Sequence, residues 1–160
     1  MQLSIGDKAP DVTLYEKISG PITSFKLSDE IGKQNIVLLF FPAVFTPVCT
    51  KEMCTITDTT AEYDALDAKV IGISGDLPYS QLEWKTQLKL NMTLGSDFNH
   101  DAVKAYGVEY PSWAGGLHGV AKRASFVIDK QGVIRHIEIF DDANMMPDFD
   151  AIKQALSSLA

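Results

Sequence analysis

The chain has 160 residues, of which 46% are hydrophobic and 22% charged. That length suits one compact domain with its own core, so we expect a single domain over residues 1–160. The formal net charge is −7, and no cluster of Lys and Arg supplies the basic patch that nucleic-acid binding needs. No segment reaches the roughly 18 consecutive apolar residues of a membrane span, and the first residues do not resemble a signal peptide. We therefore expect a cytoplasmic protein that binds neither nucleic acid nor membrane.

Apolar patterning and turn signals predict a regular alternation of strands and helices. In chain order they are strands over residues 11–14 and 35–41, a helix from 46 to about 68, a strand over 70–74, helices over 78–88 and 99–106, strands over 124–129 and 132–140, and a terminal helix over 148–159. The run over 35–41, NIVLLFF, is typical of a strand buried on both faces. The first strand–helix–strand unit predicts parallel strands, and the late strand pair predicts an antiparallel hairpin. The expected fold class is an α/β three-layer sandwich with a mixed central sheet and flanking helices, for which a thioredoxin-like arrangement fits best.

Cys49 is the candidate reactive residue among the two cysteines of the chain. Two nearby cysteines in a chain that is otherwise free of them indicate redox or catalytic use, although a buried structural thiol at each site is the alternative. Thr46 followed by Pro47 signals a helix start with Thr46 as the N-cap. Cys49 then falls at the third helical position, where free backbone N–H groups and the helix dipole favour a thiolate. The thiolate is the nucleophilic form of cysteine.

Cys54 lies five residues after Cys49. On a regular helix this separation is about 500° of rotation and a rise of about 7.5 Å. Cysteines that form a disulfide need Cα atoms within about 7 Å of each other. A disulfide between these two residues therefore requires the helix to unwind locally, and otherwise Cys54 is a plain core residue.

We expect no metal and no cofactor. Zinc sites prefer cysteines about two to four residues apart together with further ligands, and the gap between Cys49 and Cys54 is longer. The three histidines, His100, His118 and His136, are scattered. Phosphate-binding loops and the hydrolase nucleophile elbow are absent from the sequence.

The segment FPAVFTPVCTKEMC resembles the active-site segment of peroxiredoxins. The family pattern is Pro, three residues, Thr, two residues and Cys, which Pro42, Thr46 and Cys49 match. The segments GDKAPDVTL and GVAKRASFVIDKQGVIR are similar to the family's N-terminal part and to its late hairpin. In the family an arginine on that late strand completes the site, and Arg123 matches it. The resemblance extends over about residues 4–140.

The resemblance implies a thiol peroxidase without metal or haem. Cys49 would attack the terminal oxygen of hydrogen peroxide or of an organic hydroperoxide and become a sulfenic acid. Thr46 and the N–H of Cys49 would hold the peroxide oxygens, Pro42 would shield the site from water, and Arg123 would favour the thiolate and stabilise the leaving oxygen. Glu52 matches a position that orients the arginine. The simpler alternatives are a helix cap for Thr46, a strand terminator for Pro42, a surface ion pair for Arg123 and an exposed acid for Glu52.

The second half of the reaction separates two subgroups. The spacing of Cys49 and Cys54 resembles the bacterioferritin-comigratory type, in which Cys54 would resolve the sulfenic acid within one helix. Residues 96–124 resemble the alkyl hydroperoxide reductase E-like type, in which an external thiol does so. Thioredoxin, glutaredoxin or a small thiol is the expected reductant, and a homodimer is the expected assembly. Met53, Tyr110 and Trp113 are candidates for apolar surface near the site or at the dimer interface, with a core role as the alternative.

Two other functions remain as hypotheses. A thioredoxin-like thiol–disulfide oxidoreductase usually carries C-x-x-C, and the longer gap between the cysteines argues against it. A redox-sensing binding protein is the other, and the sequence lacks a long exposed apolar run that would support it.

Overall fold

A computed structural model of the chain describes residues 2–160. Within these residues there are seven strands and five α-helices. The strands are β1 (Thr13–Glu16), β2 (Thr23–Lys26), β3 (Asn35–Phe40), β4 (Ala68–Ser74), β5 (Thr93–Ser96), β6 (Arg123–Ile128) and β7 (Ile134–Phe140). The helices are α1 (Pro47–Asp58), α2 (Thr60–Ala65), α3 (Pro78–Leu88), α4 (Asp101–Ala105) and α5 (Phe149–Ser157), and a short 3-10 helix spans Leu27–Asp29.

The strands form one mixed sheet in the order β2-β1-β5-β4-β3-β6-β7. β3 pairs in parallel with β4, as the strand–helix–strand pattern predicts, and β4 pairs in parallel with β5. β6 and β7 form the predicted antiparallel hairpin, and β6 also pairs antiparallel with β3. β3 therefore lies inside the sheet with both neighbours present.

Helices cover the sheet on both faces, which makes the three predicted layers. Successive side chains of a strand point to opposite faces, so β3 contributes to two separate hydrophobic clusters. Ile36, Leu38 and Phe40 pack on the face covered by α4. Val37 and Leu39 pack on the face covered by α1, α2, α3 and α5. All six residues of β3 are buried, which confirms the prediction made from their continuous apolar run.

The long helix predicted from residue 46 to about 68 is divided and ends early. Thr59 interrupts it, and its hydroxyl donates to the Thr55 carbonyl at 2.8 Å. Such side-chain bonds to the backbone one turn earlier compete with regular helix geometry. α2 then ends at Ala65, and Ala68 belongs to β4 because it pairs with Asn35 at the start of β3.

Two strands were not predicted, and β1 begins two residues later than expected. β2 has the sequence TSFK and lies at the edge of the sheet with most of its residues exposed, so it lacks a buried apolar pattern. β5 contains Gly95, which breaks the apolar run. A Cβ at Gly95 would lie 2.9 Å from Leu14 Cδ1 of β1, so the glycine allows the two strands to approach.

The terminal helix predicted over 148–159 is α5, Phe149–Ser157. Asp148 caps α5, and its carboxylate accepts a hydrogen bond from the Ala151 N–H at 3.0 Å. The predicted helix over 99–106 is shorter, with α4 over Asp101–Ala105. None of the helices within residues 2–160 combines the length and apolar character needed to cross a bilayer.

Candidate active site

The connection between β3 and α1 places Cys49 at the start of a helix. Phe45 adopts a left-handed conformation with φ of 62°, which is uncommon for a residue with a side chain. Thr46 follows in extended geometry as the N-cap, and Pro47 is the first helical residue. The predicted positions of Thr46, Pro47 and Cys49 at the helix start are therefore confirmed.

The hydroxyl of Thr46 does not cap the helix, contrary to the prediction. It donates instead to the Ala43 carbonyl at 2.7 Å, because the turn at Phe45 brings that carbonyl close. The first backbone hydrogen bond of α1 runs from the Thr50 N–H to the Thr46 carbonyl at 3.0 Å. The hydroxyl oxygen of Thr46 keeps its lone pairs for another donor.

Two backbone donors at the start of α1 are left without acceptors. Within residues 2–160 the N–H groups of Val48 and Cys49 make no hydrogen bond. The N-terminus of a helix also carries a partial positive charge. An oxygen atom bound at this helix start could accept from these two N–H donors.

Arg123 contacts the sulfur of Cys49. Its Nη2 donates to Cys49 Sγ at 3.2 Å, and both side chains are about 99% buried. The contact forms because Ala124, next to Arg123 in β6, pairs with Phe40 at the end of β3, which is the strand that leads into α1. Burial alone lowers the pKa of Arg123, but the charges of Glu52 and Cys49 raise it overall. The guanidinium stays charged beside the sulfur.

Glu52 lies three residues after Cys49 and so on the same face of α1. It is fully buried, and its Oε1 accepts from Arg123 Nη1 at 2.6 Å. The alternative interpretation of Glu52 as an exposed acid is therefore wrong, because this face of α1 packs against the sheet. Burial raises the pKa of Glu52 to about 7, although the nearby Arg123 charge lowers it. Its Oε2 has no partner within residues 2–160.

A third group holds the guanidinium of Arg123. The Ala143 carbonyl, in the loop between β7 and α5, accepts from Nε at 3.2 Å and from Nη2 at 2.9 Å. The planar fork of Arg123 is thereby bonded to a carboxylate, a thiol and a carbonyl at once. Sequence patterns could not identify Ala143, since a backbone carbonyl has no side-chain signature.

Asp76 is a second residue that the sequence did not point to. Its carboxylate accepts from the Val44 N–H at 2.9 Å and from the Ser74 hydroxyl at 2.6 Å. These bonds tie the β3–α1 connection to the end of β4. Pro42, at the start of that connection, is buried.

Cys54 does not reach the site in this structure. Both cysteines are free thiols, and α1 is continuous from Pro47 to Asp58. Cys54 is half-buried and packs against the hydrophobic cluster under α1 and α5. The intact helix keeps it on a different face from Cys49.

Two of the three histidines bond to separate backbone carbonyls. His100 Nδ1 bonds to the Gly119 carbonyl at 2.9 Å, and His118 Nδ1 to the Pro111 carbonyl at 2.8 Å. Among residues 2–160, His, Cys, Asp and Glu side chains form no group of three or more that could hold a metal ion.

Comparison with known proteins places this geometry in a family. Residues 5–137 match the AhpC/TSA family. The chain is 35% identical over 142 residues to the chloroplastic 2-Cys peroxiredoxin BAS1 of barley (Hordeum vulgare), covering 84% of this chain and 65% of that protein. It spans between 52% and 65% of the length of the plant relatives of this type that it matches.

A full-length match and a solved structure agree with this assignment. A Haemophilus influenzae protein named as peroxiredoxin bcp is 32% identical over 158 residues, covering 98% of each chain. The crystal structure of peroxidoxin BcpB from Mycobacterium tuberculosis aligns with a TM-score of 0.85 at 27% identity over 99% of each chain, which confirms the predicted thioredoxin-like fold class. The chain thus belongs to the AhpC/TSA family, the peroxiredoxins.

Proposed function

We propose that this protein is a thiol peroxidase that reduces hydrogen peroxide or organic hydroperoxides, with Cys49 as the nucleophile. The observation that carries the proposal is the 3.2 Å contact between Cys49 Sγ and Arg123 Nη2. It occurs at a helix start where the N–H groups of Val48 and Cys49 remain free for a substrate oxygen. Membership of the AhpC/TSA family supports the same activity.

In the proposed reaction the Cys49 thiolate attacks the terminal oxygen of the peroxide. An S–O bond forms while the O–O bond breaks, so sulfur is oxidised to a sulfenic acid and the peroxide is reduced. The leaving oxygen departs as hydroxide or alkoxide and takes a proton from solvent to become water or an alcohol. Arg123 stabilises the charge that develops on this leaving oxygen.

Thr46 and Pro42 act on the substrate side of the sulfur. The Thr46 hydroxyl already donates to Ala43, so we assign it the role of accepting a hydrogen bond from the peroxide O–H. The free N–H of Cys49 donates to a peroxide oxygen. Buried Pro42 limits the access of water to the sulfur. This arrangement aligns the O–O bond with the attacking sulfur.

Glu52 acts through Arg123 and not on the substrate. Its 2.6 Å bond to Arg123 Nη1 fixes one side of the guanidinium. Because Glu52 is fully buried, solvent does not compete for this hydrogen bond. We therefore propose that Glu52 orients the arginine.

For the second half of the cycle we propose Cys54 as the resolving cysteine. Its thiol would attack the sulfur of the Cys49 sulfenic acid, forming a disulfide and releasing water. Because α1 holds the two residues on different faces, this step requires that the first turns of α1 unwind. An external thiol that attacks the sulfenic acid directly is the alternative.

The reductant and the assembly are further proposals. Thioredoxin, glutaredoxin or a small thiol would return the disulfide or sulfenic acid to the thiol. A homodimer is supported by the exposed apolar side chains Ile22, Leu77 and Phe98, which line one shallow pocket. The proposed location is the cytoplasm, although the barley relative is named as chloroplastic.

A stopped-flow experiment tests the peroxidase function. Reduced protein is mixed with hydrogen peroxide, and the oxidation of Cys49 is followed by tryptophan fluorescence and by trapping of the sulfenic acid. We expect oxidation much faster than that of free cysteine at the same pH, and none at this position in Cys49→Ser. Oxidation no faster than free cysteine would contradict the proposal.

A further inference from the structure

The loop after β7 holds the catalytic arginine through backbone atoms. Its residues 141–143, which we call the 141–143 segment, contribute two carbonyl groups to buried donors. The Ala143 carbonyl accepts from Arg123 Nε and Nη2 at 3.2 Å and 2.9 Å. A loop carbonyl can hold a guanidinium in place only if the loop itself is held.

Tyr110 supplies such a restraint. Its side chain is 6% exposed, and its hydroxyl donates to the Asp141 carbonyl at 2.9 Å. The ring of Trp113 stacks on it with centroids 6.5 Å apart. Burial raises the pKa of Tyr110, so the hydroxyl remains a donor at neutral pH. The bond joins a buried, packed side chain to the segment that contacts Arg123.

Lys122 and Asp142 restrain the same segment from the solvent side. Lys122 Nζ lies 2.7 Å from the Asp141 carboxylate, which is 90% exposed. The Asp142 carboxylate accepts from the Asn144 N–H at 2.9 Å and closes a tight turn around Ala143. Exposed ion pairs of this kind contribute little, so the buried hydroxyl of Tyr110 is the stronger restraint on Asp141.

We propose that Tyr110 is a positioning residue for the peroxidase reaction: its hydroxyl fixes the 141–143 segment, whose Ala143 carbonyl fixes the Arg123 guanidinium against Cys49. The inference rests on the proposed function, since it assigns a role within that reaction. Glu52 restrains Nη1 of the Arg123 guanidinium, and the Ala143 carbonyl restrains Nε. With both restraints in place, Nη2 is directed at the sulfur.

The test compares two changes that are chemically identical. Tyr110→Phe removes the hydroxyl that bonds to Asp141. Tyr106→Phe, the matched control, removes a hydroxyl that donates to the Pro10 carbonyl at 2.7 Å, on the other face of the sheet. Asp142→Ala loosens the turn around Ala143 at an exposed position, so it reports on the 141–143 segment even if Tyr110→Phe folds poorly.

Two readouts are made on each variant. One is the single-turnover rate of Cys49 oxidation by hydrogen peroxide. The other is the hydrogen-exchange rate of the Arg123 Nε–H, followed by NMR, which reports the bond to Ala143 independently of any peroxidase activity. If wild-type Cys49 reacts no faster than free cysteine, the proposed function fails while the exchange measurement still tests the role of Tyr110.

We expect Tyr110→Phe to oxidise about threefold to tenfold more slowly than wild type, the effect of losing one net hydrogen bond. Its Arg123 Nε–H should exchange faster by a similar factor, and Asp142→Ala should shift both readouts in the same direction. Tyr106→Phe should stay within about twofold of wild type in both. The proposal is overturned if the exchange rate of Arg123 is unchanged in folded Tyr110→Phe, or if Tyr106→Phe changes the readouts as much as Tyr110→Phe does.

Discussion

Arg123 Nη2 lies 3.2 Å from Cys49 Sγ, although the two residues are 74 positions apart in the chain. β6 delivers the arginine and the start of α1 delivers the cysteine, because β6 pairs with the strand that leads into α1. Glu52 accepts from Nη1 of the guanidinium, and the Ala143 carbonyl accepts from Nε and Nη2. In the proposed mechanism the reactivity of Cys49 therefore depends on a helix start and on a buried charge that comes from another part of the chain.

Replacement of Arg123 by lysine should slow the oxidation of Cys49. A lysine keeps the positive charge but cannot bond to Glu52, Cys49 and the Ala143 carbonyl together. Loss of an oriented donor to a developing negative charge typically costs about 100-fold or more in rate. Stopped-flow oxidation by hydrogen peroxide measures this.

The matched control for this change is Arg135→Lys. Arg135 pairs with Asp129 at 2.6 Å but its side chain is 45% exposed. Its replacement should leave the rate within about twofold of wild type, as for most surface substitutions. If Arg123→Lys and wild type oxidise Cys49 at the same rate, Arg123 has no role in the proposed mechanism.

Glu52→Gln should change how stability depends on pH. The pKa of Glu52 is raised from 4.5 to about 7 by burial, so the folded protein keeps a proton that the unfolded chain releases between these values. The free energy of unfolding of the wild type should therefore fall as pH rises through this window, by up to about 1.4 kcal/mol per pH unit from this group. Glutamine carries no such proton, so the variant should lack this contribution.

Urea unfolding at about pH 5, about pH 6 and about pH 7 measures that difference. Glu83→Gln, at an exposed position of α3, is the control and should keep the wild-type slope. Parallel pH profiles for Glu52→Gln and wild type would show that Glu52 titrates near its ordinary value.

Thr46→Val should reduce peroxide reactivity, whereas Thr46→Ser should preserve most of it. Valine has nearly the shape of threonine but cannot accept a hydrogen bond from a peroxide, and it also loses the 2.7 Å bond to the Ala43 carbonyl. We expect about tenfold or greater loss of rate and about 1 kcal/mol of destabilisation for valine. Single-turnover oxidation and thermal unfolding measure the two effects. If valine and serine behave alike, the hydroxyl has no part in binding the substrate.

Cys54→Ser separates the two ways of completing the cycle. In the wild type, one equivalent of hydrogen peroxide should produce an intramolecular disulfide, detected by nonreducing mass spectrometry. The far-UV circular dichroism should show lost helix at the same time, because a bridge between residues five apart cannot form in an intact α1. Cys54→Ser should keep its helix and accumulate sulfenic acid. A wild type that accumulates sulfenic acid without a disulfide would assign the second step to an external thiol.

Local patterns predicted much of the fold, since they act over one or two turns of chain. The continuous apolar run of β3, the Thr46-Pro47 start of α1 and the terminal helix α5 all appear close to where the sequence placed them. β2 and β5 were missed because one is an exposed edge strand and the other is interrupted by Gly95. Their pairing depends on neighbouring strands, which a local pattern does not describe.

The sequence by itself determined that Cys49 stands at a helix start, because the N-cap, the proline and the cysteine all lie within residues 46–49. Only the tertiary structure decided what surrounds that thiol. It buried Glu52 completely, brought Arg123 onto the sulfur and added the Ala143 carbonyl. It also turned the Thr46 hydroxyl away from the helix and left two N–H groups free. Burial and long-range contact depend on how strands and helices pack, and this packing makes the charge of Arg123 effective beside Cys49.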